Sequence, residues 1–282
     1  MAESQTNKLI RILNDEETKE PGAILQALEL SRQMQRLILK MKGDFMDSDG
    51  KGVDYNSLKG SALFQDYIRK ARELKFVDLW GLNLDEKKAF FINIYNALTI
   101  HGLASQVGAN LPNSVLEITN FWKKTAYNIG GFVLTLDDIE HGILRANKPH
   151  PSSPEPLFNL NDPRLQLTLP CLDPRIHFAL VCGAKSCPAI NVYSAKNLDA
   201  GLTAAAKSFI TQEVFLSDGV VTLSKIFNWY KGDFATDTVG LLRWIAQYSQ
   251  PTDKEQIEEL LKNGEEAIQL QWKDYNWKLN KL

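Results

Sequence analysis

Residues 85–103, DEKKAFFINIYNALTIHGL, are the most informative segment of the chain. The segment begins with Asp85, a residue type that favours the N-cap of a helix. It then becomes apolar on nearly every face, and a helix that is apolar all round is buried inside a protein. The segment therefore predicts a central buried helix around which the other elements pack.

Three polar side chains interrupt this apolar helix. At roughly 100° per residue, Asn93 and Asn96 fall within about 60° of each other, and His101 lies about 80° from Asn93 on the other side. A buried primary amide needs a hydrogen-bond partner. We expect Asn93 to satisfy a backbone group of the core and Asn96 to line a wet cavity.

Towards the N-terminus, amphipathic spacing predicts a helix from Gly22 to Phe45 and another from Ser61 to Leu74. The Asp- and Gly-rich residues between them resemble a calcium-binding EF-hand loop. Lys51 would occupy position five of that loop, and Leu58 would replace the bidentate glutamate at position twelve. An Asp/Gly turn is the interpretation that these two residues favour.

Towards the C-terminus, strands and helices are mixed. Gly130-Gly131 predicts a hairpin turn, followed by a short helix that carries Glu140 and His141. Further elements are expected as follows: a loop over 148–174, a central strand over 176–182, a helix over 198–210, a hairpin turning at Asp218-Gly219, helices over 239–248 and 253–262, and an edge strand over 268–272. This order predicts one α+β domain with a mixed or antiparallel sheet over 53–282, preceded by an N-terminal helical lobe over 1–52.

Composition limits the class of protein. The 282 residues are 44% hydrophobic and 23% charged, which is typical of a globular chain, and the formal net charge of −2 argues against a nucleic-acid partner. No segment reads as a signal peptide or a membrane span. Three cysteines are too few for a disulfide scaffold in a chain of this length. We therefore expect a cytoplasmic protein that does not bind membranes.

Residue types that carry chemistry concentrate in three places. The candidate site residues are Asn93, Asn96, Glu140, His141, His177, Cys182, Ser186 and Cys187. If 176–182 is a regular strand, His177 and Cys182 face opposite sides of it. Cys187 follows Gly183 in a segment that is free to turn back, which makes Cys187 the better candidate nucleophile.

Metal and cofactor chemistry have little motif support. Cys182 and Cys187 form a C-x₄-C spacing, which departs from the C-x₂-C knuckle of structural zinc sites. No phosphate-binding, dinucleotide-binding or serine-hydrolase motif is present. We expect no metal and no cofactor.

Several segments resemble the DUF547 family, a domain of unknown function. They are VDYNSLKGSALF (53–64), FFINIYNALTIHGL (90–103), LTLDDIEHGILR (134–145), DPRIHFALVCGAKSCPAI (173–190), KIFNWYKGDF (225–234) and DYNWKLN (274–280). The resemblance covers about residues 53–280. It does not imply a settled activity, because none is established for the family.

The resemblance suggests one distant analogy, to papain-like and transglutaminase-like thiol enzymes. RIHFALVCG is similar to the strand that carries the histidine of those enzymes, but the helix over 85–103 has no cysteine at its start. Cys187 would have to supply the thiol from a rearranged connection.

Two functions follow as hypotheses. The first is a thiol-dependent hydrolase or acyl transferase acting on a small molecule or a peptide, with Cys187 as nucleophile, His177 as general base, His141 in reserve and Glu140 orienting the imidazole. Asn93 or Asn96 would stabilise the oxyanion. The alternative is a non-catalytic domain that binds a protein partner through its N-terminal helices, whose apolar stripe includes Met34 and Met41.

Overall fold

The computed structural model describes residues 10–17, 25–106, 111–217, 219–264 and 268–282. The chain forms two compact units. The first unit is drawn from Met1–Cys171, Leu180–Leu198 and Trp277–Leu282, and the second from Leu172–Ala179 and Asp199–Asn276. The domain boundary predicted after Gly52 stays a prediction.

The first unit combines helices with two small sheets. Its elements in chain order are β1 (Arg11–Ile12), β2 (Leu25–Gln26), α1 (Ala27–Phe45), α2 (Tyr55–Gly60), α3 (Ala62–Glu73), β3 (Val77–Asp78), α4 (Leu84–Ala104), α5 (Phe121–Lys124), β4 (Thr125–Ile129) and β5 (Phe132–Thr135). Strand β4 pairs in parallel with β1 and antiparallel with β5, and β2 pairs in parallel with β3. A π-helix over Asp138–Leu144 follows β5.

Helix α4 is the predicted central helix. Every residue from Ala89 to Ala104 is buried. The N-cap, however, is Asn83 and not Asp85: the Asn83 side chain accepts from the Glu86 backbone N–H, and the Glu86 carboxylate accepts from the Asn83 N–H. This capping box satisfies two N–H groups that the helix leaves unpaired, which Asp85 inside the first turn cannot do.

The polar side chains of α4 are anchored by other segments of the first unit. Asn93 Nδ2 donates to the Tyr193 carbonyl at 2.6 Å, and Asn93 Oδ1 accepts from the Tyr193 N–H at 2.9 Å. The structural role expected for Asn93 is confirmed. The amide oxygen of Asn96 also bonds backbone, accepting from the Val181 N–H at 2.9 Å. The ring of His101 contacts Tyr127 Oη through Nδ1 at 2.8 Å, and burial lowers the pKa of His101 to about 4.

Helix α1 uses its apolar stripe in the core of the first unit. Met34, Ile38 and Met41 are all buried. These buried residues do not form the exposed surface that a protein partner would need. Binding of a partner through the N-terminal helices stays a prediction, but the apolar stripe does not support it. The predicted start of this helix, Gly22, lies outside the described residues.

The Asp/Gly segment after α1 is a turn, as predicted. The carboxylate of Asp47 accepts from the backbone N–H of Lys51 at 2.8 Å and from that of Gly52 at 2.7 Å. These bonds close the turn with a side chain that an EF-hand loop would direct at calcium.

The first predicted hairpin is confirmed by β4 and β5. Gly130 and Gly131 form its turn with φ values of 56° and 87°, in the left-handed region that glycine adopts without steric cost. A side chain at Gly130 would also collide with the backbone, because its Cβ would lie 2.9 Å from the Val77 carbonyl oxygen.

The strand predicted over 176–182 is wrong. Residues Pro174–Phe178 form a 3₁₀ helix, whose N-cap Asp173 accepts from the Arg175 N–H. Pro174 suits the first helical position, and the Val181 N–H bonds to Asn96 and not to a neighbouring strand. An apolar run of this length does not distinguish a strand from other buried backbone.

The second unit carries the remaining regular elements. They are α6 (Leu198–Glu213), which begins on the last residue of the first unit, β6 (Val214–Ser217), β7 (Val220–Ser224), α7 (Lys225–Trp229), α8 (Lys231–Phe234), α9 (Thr238–Ala246), α10 (Pro251–Lys262) and β8 (Gln269–Lys273). Strand β7 pairs antiparallel with β6 and in parallel with β8, which confirms the second hairpin and the edge strand. Asp218 of the predicted turn lies outside the described residues. Helices and small mixed sheets confirm the α+β class.

An aromatic cluster forms the core of the second unit. Phe178 stacks on Phe209 with ring centroids 4.6 Å apart, and Phe234 contacts Phe227 and Trp244 edge-on or tilted. Burying aromatic rings is among the larger contributions to a core. Through Phe178, the short 3₁₀ helix therefore packs in the core of the second unit.

Replacing Asn93 by alanine should destabilise the protein. The change leaves the N–H and the carbonyl of Tyr193 buried without their partner, and an unsatisfied buried group costs about 1–3 kcal/mol. Thermal melting followed by circular dichroism should show a midpoint lowered by several degrees, at ~2–4 °C per kcal/mol. The control is Asn56→Ala, at an exposed helical position; equal midpoints for the two variants would contradict the structural role.

Candidate functional site

A cluster of titratable side chains lies at the start of the π-helix. One carboxylate oxygen of Asp137 and one ring nitrogen from each of His141 and His150 lie within 4.8 Å of one another. Glu140, on the same helix, is close enough to act electrostatically on Asp137. We call Asp137, Glu140, His141 and His150 the acid–base cluster. π-helices are rare, and most occur as single-turn bulges inside α-helices, frequently at functional sites.

The neighbouring Asp138 has a structural task. Its carboxylate accepts from the Thr135 N–H at 2.9 Å and from the Thr135 hydroxyl at 2.8 Å, and it pairs with Arg164 at 3.0 Å. These bonds fix the turn from β5 into the π-helix. Asp137 is thereby held beside His141.

Asp137 is the most unusual carboxyl group of the cluster. The residue is 7% exposed, and burial is the largest cause that raises its pKa to about 7. The negative charges of Glu140 and Asp138 raise the pKa further, while Lys123 opposes them. A carboxyl group whose pKa is raised to about 7 is suited to act as a general acid or base at neutral pH.

Glu140 is held by the central helix. Tyr95, on α4, donates its hydroxyl to Glu140 Oε2 at 2.9 Å. The phenol is almost completely buried, so the bond places the carboxylate against the core of the first unit. One cluster thus contains two carboxyl groups in different environments.

The hydrogen bonds of the two histidines determine their tautomers. His141 Nδ1 lies 2.8 Å from Arg145 Nη1, and a guanidinium can only donate. His150 Nδ1 accepts from the Ser152 backbone N–H at 3.0 Å. In both neutral rings Nδ1 is an acceptor, so the proton is on Nε2. Burial, the largest cause, lowers the pKa of His150, with Lys123 and Arg145 adding to the effect and Glu140 opposing it.

These tautomers bear on whether the cluster suits a metal ion. By residue type and proximity, one aspartate and two histidines are a plausible ligand set. A histidine that binds metal through Nε2 usually donates its Nδ1–H to a carboxylate or carbonyl. Arg145 and the Ser152 N–H present donors to Nδ1 instead. The arrangement therefore fits proton transfer better than coordination of a cation.

Sequence reasoning missed two of these four residues. Asp137 is not among the candidate site residues of the sequence, and His150 falls in the loop predicted over 148–174. The available signal was the position of His150 in a proline-bearing loop, a kind of segment that often flanks active sites.

The predicted thiols also lie together. Cys182 Sγ is 2.6 Å from Cys187 Sγ, and the Cys182 backbone N–H donates to Cys187 Sγ at 3.1 Å. Cys187 is buried, and Cys182 and Ser186 are half-buried. We call Cys182 and Cys187 the thiol pair. Burial, the largest cause, raises the pKa of Tyr55, and electrostatic interaction with Cys187 and Cys182 adds to it, which places the Tyr55 phenol near both sulfurs.

The predicted general base belongs to the second unit. His177 Nε2 lies 2.8 Å from Asp233 Oδ2, and Tyr230 stacks on the imidazole with ring centroids 4.0 Å apart. Because 176–182 is not a strand, the expected alternation of His177 and Cys182 across two faces does not apply. The pairing of His177 with Cys187 stays a prediction.

Fold and site together define an α+β protein with a partly buried acid–base cluster and a pair of adjacent thiols. The model of the family described as "Protein of unknown function, DUF547" matches residues 79–210. The match confirms the family resemblance over that range, which includes the acid–base cluster and the thiol pair. The resembling segments at 53–64, 225–234 and 274–280 lie outside it.

Other comparisons add no relative. No curated protein and no solved structure matches the chain significantly. The analogy to papain-like and transglutaminase-like enzymes therefore has no support, and the strand on which it depended is absent. Among the described residues, none of the helices is both long and apolar enough to span a membrane.

The raised pKa of Asp137 predicts how stability depends on pH. The folded protein holds this proton up to about pH 7, whereas an unfolded aspartate, with an ordinary pKa of 3.8, has lost it. The folded state therefore binds more protons at Asp137 between these values, and the contribution of Asp137 to the free energy of unfolding falls as pH rises from about 4 to 7, opposite in sign to the contribution of His101, whose pKa is lowered. Asp137→Asn should flatten this decline, measured by urea unfolding at pH 5, 6, 7 and 8.

The matched control is Asp44→Asn, because Asp44 is exposed on α1. This variant should keep the wild-type pH dependence. Parallel curves for the wild type and Asp137→Asn would show that Asp137 does not titrate abnormally.

Proposed function

We propose that the protein is a hydrolase or acyl transferase that acts by general acid–base catalysis at the acid–base cluster. The supporting observation is that the buried Asp137 and the half-buried Glu140 share one cluster and that the charge of Glu140 helps to keep a proton on Asp137. Two carboxyl groups whose environments separate their protonation states form a natural acid and base.

Each residue then has a distinct role. Glu140, positioned by Tyr95, accepts a proton from an attacking water or alcohol while the oxygen of that water or alcohol forms a bond to the acyl carbon. Asp137, carrying its proton, donates it to the leaving group as the acyl bond breaks. The Nε2–H groups of His141 and His150 are suited to stabilising the oxyanion that forms between these steps.

The general-acid role predicts an unequal response to leaving groups. Two probes with the same acyl group are p-nitrophenyl acetate and 4-nitroacetanilide. The p-nitrophenolate leaving group of the ester departs without a proton. The leaving nitrogen of the anilide must be protonated as it departs. Asp137→Asn should slow hydrolysis of the anilide by roughly 10²- to 10⁴-fold and that of the ester much less, both followed by absorbance.

Two controls make this test decisive. Glu140→Gln should slow both probes, because each needs an activated nucleophile, and Asp44→Asn should slow neither. Equal losses on both probes for Asp137→Asn would contradict its role as the acid. Hydrolysis that Glu140→Gln leaves unchanged would contradict the proposed base.

A second candidate is the thiol-dependent hydrolase or acyl transferase predicted from the sequence. The observation that favours it is the hydrogen bond from the Cys182 N–H to Cys187 Sγ, since such donors stabilise a thiolate. Cys187 would be the nucleophile, His177 the base with His141 in reserve, and Glu140 the residue that orients the imidazole. Asn93 would serve the oxyanion only by breaking the bond from its Nδ2 to the Tyr193 carbonyl, whereas the bond of Asn96 to the Val181 N–H uses its Oδ1.

Alkylation separates this candidate from the first. With iodoacetamide at neutral pH, an activated Cys187 in the native protein should react faster than the exposed Cys171. The two thiols lie in different tryptic peptides, 186–196 and 165–175, so mass spectrometry gives both rates. If Cys187 were alkylated more slowly than Cys171, the result would contradict the thiol mechanism and leave the acid–base proposal unaffected.

A further inference from the structure

The thiol pair has a geometry that neither candidate reaction uses. The two sulfurs are 2.6 Å apart, compared with about 2.05 Å in a disulfide bond. Both cysteines are in the reduced thiol form. A small movement of either side chain would therefore bring the sulfurs to bonding distance.

The backbone around the pair is held in place from both sides. The Cys187 N–H donates to the Ala184 carbonyl at 3.0 Å, which closes a turn between the two cysteines. Two backbone hydrogen bonds connect the turn to the C-terminal residues. The Lys185 N–H donates to the Lys278 carbonyl at 2.8 Å, and the Asn280 N–H donates to the Gly183 carbonyl at 2.9 Å. Gly183 has a φ of 86°, and a Cβ there would lie 2.4 Å from a methyl group of Leu103. The turn therefore keeps the two thiols adjacent without a covalent bond.

The two cysteines are not equivalent. Cys182 is half-buried, whereas Cys187 is buried. Cys187 Sγ accepts the Cys182 N–H, a contact that stabilises negative charge on that sulfur. Thiol–disulfide exchange proceeds through a mixed disulfide, which a second thiol beside the first can resolve.

We propose that Cys182 and Cys187 form a thiol–disulfide exchange site that reacts with small disulfides of the glutathione type. The Cys182 thiolate attacks one sulfur of the small disulfide, forming a mixed disulfide and releasing one small thiolate. The Cys187 thiolate then attacks Cys182 Sγ, forming the internal disulfide and releasing the second small thiolate. The protein loses two electrons and two protons, and the small disulfide becomes two thiols. This site is independent of the acid–base proposal.

The test is to incubate the native full-length protein with glutathione disulfide, block free thiols with iodoacetamide and digest with trypsin without reduction. Cleavage after Arg175, Lys185 and Lys196 puts Cys171, Cys182 and Cys187 in three separate peptides. The expected product is a cross-link between peptides 176–185 and 186–196. A subsequent excess of reduced glutathione should release it.

Serine variants identify the order of the two steps. In the Cys187→Ser variant, the reaction should stop at a mixed disulfide between glutathione and Cys182. In the Cys182→Ser variant, Cys187 should stay unmodified. Cys171→Ser, which changes an exposed thiol outside the pair, should form the cross-link at the wild-type rate. Thermal melts of the variants confirm that each is folded.

Two outcomes would overturn the proposal. One is that glutathione forms mixed disulfides with Cys171 and Cys182 at equal rates and no internal cross-link forms. The other is a cross-link that joins peptide 165–175 to either of the remaining peptides. Neither outcome bears on hydrolysis of the acyl probes, so failure of this site and failure of the acid–base cluster are distinguishable.

Discussion

The burial of α4 on every side from Ala89 to Ala104 is the constraint on which the rest of the first unit depends. The polar side chains of a helix without a solvent face can find hydrogen-bond partners only within the protein. Asn93 and Asn96 therefore bind the backbone of Tyr193 and Val181, and Tyr95 binds Glu140. The segments that carry the candidate chemistry are thus attached to the helix by its few polar groups.

The acid–base cluster results from the same constraint. Tyr95 holds Glu140 from the side of the helix, and Asp138 holds the turn that leads into the π-helix. Asp137 and His141 are then buried next to one another, where the cost of a second negative charge keeps a proton on Asp137. The raised pKa has burial as its largest cause, and the charges of Glu140 and Asp138 add to it.

Local sequence patterns predicted the elements whose signals are local. The glycine pair at 130–131, the Asp/Gly turn after α1 and the periodic helices are all present near the expected positions. The apolar run at 176–182 failed as a strand because burial alone does not determine backbone shape. Asp173 and Pro174 start a 3₁₀ helix there, and Phe178 packs in the aromatic core of the second unit.

By itself the sequence determined that the chain has a buried central helix, an α+β composition and cysteines that lie close along the chain, because periodicity and spacing are properties of neighbouring residues. It also identified Glu140 and His141 as candidates by residue type. Only the tertiary structure decided that Asp137 and His150 join them, and that Cys182 faces Cys187. Those contacts depend on which loops fold against α4, and the energy that selects them comes from packing between residues far apart in sequence.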